Sequence, residues 1–199
     1  MDLICTRGAK EEYRDPATKK DFVSVSQVLS VLDPDAFAGV DPFVLASAQQ
    51  RGTDLHVLFA LTLFAEAGLA DRPARPTGII RGYYAGIEAF IRERSPRPIR
   101  VEESSIHDKM GYAGTPDTEC WLGETDALID LKTGPPRPVH AVQLHAYKRL
   151  KGYENVRRLY SLYIKKDGTY KLIEHTHDHI DWAGFLAAIT VLHWRRQRG

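Results

Sequence analysis

The sequence is poor in cysteine: Cys5 and Cys120 are the two in 199 residues. Two cannot build a disulfide framework or a four-cysteine cluster. Glycine (15) and proline (11) are too sparse for a collagenous or low-complexity chain. No long apolar run is present. The longest, Val57–Phe64, is followed by Glu66 and falls far short of the roughly 20 residues a membrane span needs. Met1–Lys20 carries Asp2, Glu11, Glu12 and Asp15 and lacks the apolar core of a signal peptide. Charge of one sign is also missing: the net is +1, which as a sum argues against nucleic acid. What remains is globular composition, 43% hydrophobic and 27% charged, with room for one domain.

The sum conceals a split. Residues 132–171 hold ten basic residues and two acidic ones, a charge of +8; the remainder holds 17 and 24, a charge of −7. Such asymmetry points to a face for polyanions, although a solvated basic surface has the same composition.

Periodicity and punctuation predict a mixed α/β fold. Leu3–Phe22 reads as a short, hairpin-like entry. Ser24 or Ser26 offers an N-cap to the apolar Val28, Leu29, Val31 and Leu32, and Asp33-Pro34 ends that helix. Asp41-Pro42 opens a longer helix running from Ala46 to about Leu69. Thr77 to Arg94 carries a helical stripe. Ile99–Ile106, Tyr112–Leu122 and Ala127–Lys132 are strand-like. Pro138 to about Gly152 returns to helical spacing. Arg157–Ile164 and Thr169–Glu174 form a hairpin about Asp167-Gly168, and Asp181–Gln197 is a last helix with Arg195, Arg196 and Arg198 at its end. The order is that of a single domain, 1–199, with a mostly helical N-terminal part (1–97) and a sheet core (98–199). The tryptophans Trp121, Trp182 and Trp194 are expected in the core.

The chemistry concentrates in Gly114-Thr115-Pro116-Asp117 and Ile129-Asp130-Leu131-Lys132. Asp130 and Lys132 are two apart on a strand and share a face, as a plain ion pair also would. A two-residue turn at Gly123-Glu124 pairs Leu122 with Thr125, and glycine first is the type II′ signature. That register sets Asp117 opposite Asp130, with Cβ atoms roughly 4.5–5.5 Å apart. A four-residue loop sets Asp117 opposite Lys132 instead, on the same face, and a three-residue loop sets it opposite Leu131, on the wrong face. Two adjacent carboxylates repel unless a proton or cation lies between them, and Mg²⁺ or Mn²⁺ takes such oxygens. Lys132 beside them supplies a charge for a developing anion or a water.

These residues resemble the signature of the PD-(D/E)XK nuclease superfamily, with Pro116-Asp117 and Asp130-Leu131-Lys132 in its order. Gln143-Leu144-His145-Ala146-Tyr147 is similar to the Gln-x-x-x-Tyr helix of RecB-type members. Arg51-Gly52-Thr53-Asp54-Leu55-His56 is similar to their histidine-bearing helix, and Val23–Leu29 to the opening segment of phage and mitochondrial exonucleases. The resemblance implies a restriction-endonuclease-like core: a central mixed sheet flanked by helices. It implies catalytic Asp117, Asp130, Lys132, Gln143 and Tyr147. It implies one or two Mg²⁺ or Mn²⁺ ions on His56, Asp117, Asp130 and the carbonyl of Leu131. An acid from the preceding strand joins them, Glu102 or Glu103, with Glu103 preferred. Arg51, Lys148 and Lys151 are candidate DNA contacts. The branch that carries an iron–sulfur cluster needs four cysteines and is excluded within this chain.

The expected activity is metal-dependent DNA hydrolysis. An exonuclease of recombination, repair or phage DNA processing leads, in the cytoplasm of a bacterial or phage-infected cell. Its expected partners are DNA and a separate helicase or recombinase, and no membrane. A structure- or sequence-specific endonuclease and a non-catalytic DNA-binding module on the same fold are the alternatives.

Overall fold

The computed structural model describes residues 3–7 and 11–198, with the side chains of 4–7 and 11 left out of the description. Three short strands open the chain: β1 (Ile4–Arg7), β2 (Glu11–Arg14) and β3 (Asp21–Ser24). Three helices follow, α1 (Val25–Leu32), α2 (Pro42–Glu66) and α3 (Gly78–Arg94). Ser24 caps α1 by accepting the N–H of Gln27, while the Gln27 side chain accepts the N–H of Ser24. Asp41 caps α2 at Phe43 and Val44, and Pro42 occupies the first helical position.

The strands beyond are β4 (Arg97–Val101), β5 (Ser105–His107), β6 (Tyr112–Gly114), β7 (Thr118–Leu122), β8 (Thr125–Lys132), β9 (Arg158–Ile164) and β10 (Tyr170–Glu174). Helix α4 (Pro138–Tyr147) joins β8 to β9, and α5 (Asp178–Arg198) ends the chain. Two of the expected strands are each broken in two. Ile99–Ile106 breaks at residues 102–104, and Tyr112–Leu122 breaks at 115–117. The pieces join two separate five-stranded sheets, β1-β2-β3-β6-β5 and β10-β9-β8-β7-β4. At the first break Glu102 takes a left-handed φ of 52°, which no continuous strand accommodates.

Both sheets are mixed. β8 runs antiparallel to β7 and parallel to β9, and β3 runs parallel to β6. The β3–β6 pairing ties the N-terminal strands to the second half of the chain. Strand β8 is buried on both faces, so it reads as a nearly continuous apolar run. Ile129 and Leu131 pack with Leu55, Phe59 and Phe90 of α2 and α3. Leu128 packs with Leu144 of α4 and Phe185 of α5. By strand alternation Asp130 and Lys132 share the Leu128 face.

Two of the three tryptophans depart from expectation. Trp194 is 59% exposed and Trp121 36%. Trp182 is half-buried, stacked on Phe185 and covered by the guanidinium of Arg149. Among the described residues no helix is long and apolar enough to cross a membrane.

Candidate active site and metal centre

The β7–β8 hairpin has the expected register: Leu122 pairs with Thr125 and Thr118 with Ile129. Gly123 alone of the two turn residues has positive φ, 62°, as a type II′ turn requires. One step before β7, the same register brings Asp117 to Asp130. Both side chains are buried, 7% and 2% exposed.

Asp117 is held from two sides. Its Oδ2 accepts the backbone N–H of Leu131 at 2.6 Å, and its Oδ1 lies 3.1 Å from Nδ1 of His56 on α2. Burial disfavours charge on both groups. Their mutual attraction and hydrogen bond outweigh it, holding Asp117 below the ordinary carboxylate range and His56 above the ordinary imidazole value. Asp130 is different: burial pushes it up to about 6, against the pull of Lys132 and with Asp117 adding repulsion. Its Oδ2 sits 2.5 Å from Nζ of Lys132 but is in no hydrogen-bond geometry. Lys132 Nζ donates to Gln143 Oε1 at 2.8 Å, and Gln143 Nε2 donates to the Tyr147 hydroxyl at 3.0 Å. The i, i+4 spacing on α4 thus produces a chain of contacts Asp130–Lys132–Gln143–Tyr147. Tyr147 also lies against Gly114, where a Cβ would come within 2.5 Å of its ring; only glycine leaves that room.

The acid that joins this group is Glu102. Ligand atoms of His56, Glu102 and Asp117 all lie within 4.8 Å of one another. Glu103 is exposed, and its carbonyl accepts the Tyr153 hydroxyl at 3.0 Å. The strand-parity argument for Glu103 fails because residues 102–104 are not in a strand. Here the chain crosses between sheets beside the second crossing at 115–117. The Glu102 N–H donates to the Asp117 carbonyl at 2.9 Å, and the hydroxyls of Ser104 and Thr115 lie 2.7 Å apart. The cluster sits on this seam.

An imidazole nitrogen with two carboxylates, and a third beside them that bears a buried oxygen short of hydrogen bonds, is donor chemistry that suits Mg²⁺ or Mn²⁺. Leu131 turns its N–H toward Asp117. In a strand the carbonyl of the same residue faces the same edge.

These residues floor a cleft of about 890 Å³. One wall is α2, with Gln49, Gly52 and Thr53. The other is α1 and α5, with Ser26, Gln27, Ser30, Leu192 and Arg196. Of this second wall, Ser26 and Gln27 lie in the Val23–Leu29 segment, whereas Leu192 and Arg196 of α5 carry no motif. Arg51, Lys148 and Lys151, picked as DNA contacts, do not line the cleft. Arg51 sets its guanidinium over the Tyr83 ring, 5.5 Å from the centroid. Lys148 caps α4, and Lys151 is exposed in the following turn. Much of the basic segment is tied up elsewhere: Arg137 with Asp33, Arg149 with Asp178, Arg157 with Asp126 and Arg158 with Glu174.

No family model and no curated protein matches the chain. Solved structures similar to it include that of SSO0001, at 14% identity and a TM-score of 0.42, covering 85% of this chain and 75% of that one. They also include an alkaline exonuclease (LHK-Exo) from Laribacter hongkongensis, at 17% identity and a TM-score of 0.41, covering 89% and 92%. At these values the site's own chemistry is the basis for a function.

Proposed function

We propose that the chain is a metal-dependent nuclease of the PD-(D/E)XK type that hydrolyses phosphodiester bonds in DNA, with an exonuclease as the leading form. The observation that carries this is the convergence of buried Asp117 and Asp130, Glu102, His56 and Lys132 at the floor of one open cleft. The acids and His56 would hold one or two Mg²⁺ or Mn²⁺ ions, with the carbonyl of Leu131 facing the same edge.

When bound, a divalent cation supplies a lowered water pKa and charge stabilisation at the scissile phosphate. The chain supplies the rest. Asp117, fixed by the Leu131 N–H and by His56, keeps its charge at neutral pH. Lys132, steadied by Gln143, places a cation beside Asp130, where a negative phosphoryl oxygen or an attacking water is oriented. Tyr147 braces Gln143 from below.

Digestion of end-labelled linear and closed circular DNA with Mg²⁺ or Mn²⁺ tests this. Linear DNA is expected to shorten from its ends, and Lys132→Ala to lose activity by about 10²–10³-fold. Failure of the wild type to cut either substrate sinks the proposal. Nicking of circles instead favours an endonuclease on the same chemistry.

A further inference from the structure

Apart from the carboxylates and His56, the cleft is short of charge. Among its described lining residues two are formal cations, Lys132 and Arg196. Lys132 is committed to Asp130 and Gln143. Arg196 forms no ion pair among the described residues. Its one partner is neutral: Nη2 donates to Gln27 Oε1 at 3.2 Å. Arg137, Arg149, Arg157 and Arg158 are all answered by carboxylates. Arg196 is a guanidinium aimed at a cavity with its charge unanswered.

Its placement is built. Gln27 Oε1 also accepts the Ser24 N–H in the α1 capping box, so the amide is pinned. One turn before Arg196, His193 Nε2 lies 3.2 Å from the Met110 carbonyl and ties the end of α5 to the first sheet's side. Ser26, on the same wall, is exposed and its hydroxyl makes no hydrogen bond among the described residues. The α2 wall opposite offers no cation, since Arg51 is turned onto Tyr83.

We infer that Arg196, with the Ser26 hydroxyl, binds a backbone phosphate flanking the one positioned over the carboxylates. This rests on the nuclease reading and adds to it a substrate-binding residue on the α1–α5 wall. A guanidinium held by a neutral amide meets a phosphate without first breaking an ion pair, and its planar fork matches phosphate oxygens. Gln27 then keeps the fork turned toward the cleft.

The test is binding of a fluorescein-labelled single-stranded oligonucleotide, followed by anisotropy in EDTA over a NaCl series. Wild type, Arg196→Gln, Arg196→Lys and Arg195→Gln are compared, with thermal melting to confirm folding. Arg196→Gln is expected to weaken binding about tenfold and to reduce the salt slope by about 0.7. Arg196→Lys keeps the slope and recovers part of the affinity. Arg195→Gln stays within about twofold of wild type. With Mg²⁺, Arg196→Gln raises KM and leaves kcat within about twofold.

Equal losses in Arg195→Gln and Arg196→Gln, unchanged binding in Arg196→Gln, or no binding by the wild type overturn the inference. Cleavage by the wild type with unaltered KM in Arg196→Gln overturns the anchor and leaves the nuclease standing. Arg196-dependent binding without cleavage does the reverse.

Discussion

The backbone N–H of Leu131 donates to the carboxylate of Asp117 at 2.6 Å, across the end of the β7–β8 ladder. The side chain thus takes the place a backbone carbonyl of β7 would fill one step further on. Asp117 is a structural cap on a strand as well as a candidate ligand, and two substitutions separate those roles. Asp117→Asn keeps an oxygen for Leu131 and is expected to fold with near-wild-type stability while losing metal affinity. Asp117→Ala leaves a buried N–H without a partner and costs about 1–3 kcal/mol. Thermal melting and Mn²⁺ titration of both variants check this.

Asp130 predicts an unusual stability gain. Its folded pKa, near 6, lies above its ordinary value of 3.8, so the folded state holds its proton more tightly than the unfolded one. Folding is therefore penalised progressively as pH rises from about 4 to 6, by about 3 kcal/mol once ionisation is complete, and the penalty vanishes below about pH 4. In EDTA, Asp130→Asn should melt higher than wild type at pH 7.5, and the gap should close toward pH 4. Added Mg²⁺ or Mn²⁺ should raise the wild-type melting temperature and leave that of the variant unmoved. A variant that melts lower than wild type at pH 7.5 contradicts the account.

His56 ties metal affinity to pH in the opposite range. With its folded pKa raised by Asp117, the charged pair stabilises the metal-free chain below the ordinary imidazole pKa of about 6.5. That stabilisation is lost as pH rises through the raised value. A ligating imidazole has to be neutral, so Mn²⁺ affinity should climb as pH rises through the raised value and then level off, with release of a proton. Calorimetry in buffers of different ionisation enthalpy measures that proton. In His56→Gln that climb should disappear, and affinity should fall by about 10–100-fold throughout.

The two neighbouring glutamates make a direct comparison. Glu102→Gln should weaken Mn²⁺ binding about tenfold or more, whereas Glu103→Gln, on an exposed side chain, should stay within about twofold of wild type. Equal effects would place the metal elsewhere than on the 102–117 seam.

Much of the site was legible because local rules govern it. A glycine-led two-residue turn fixes the register that joins Asp117 to Asp130, and i, i+4 spacing joins Gln143 to Tyr147. The first acid was not legible, because its placement depends on a left-handed backbone at Glu102, a non-glycine residue without a turn signature. The ion pairs of the basic segment were not legible for a different reason. A charge count does not show that Arg137 reaches Asp33 or that Arg149 reaches Asp178, pairings more than 25 residues apart. The split of two strands between two sheets follows from tertiary pairing of β6 with β3 and of β5 with β6, which no periodicity records. Arg196 looked like one more arginine at a helix end until α1 and α5 were brought together at Gln27.

The paired crossings at 102–104 and 115–117 give the carboxylates a mechanical setting. Glu102 and Asp117 stand at the gap between two sheets, and Asp130 belongs wholly to one of them. A cation bound there would act as a rivet, drawing the sheets together where the Glu102–Asp117 and Ser104–Thr115 bonds bridge the crossings. The width of the gap would then set which ion radius is gripped well. Substitutions at Thr115 or Tyr13, whose hydroxyls meet at 2.9 Å behind the seam, can retune ion preference without touching a ligand.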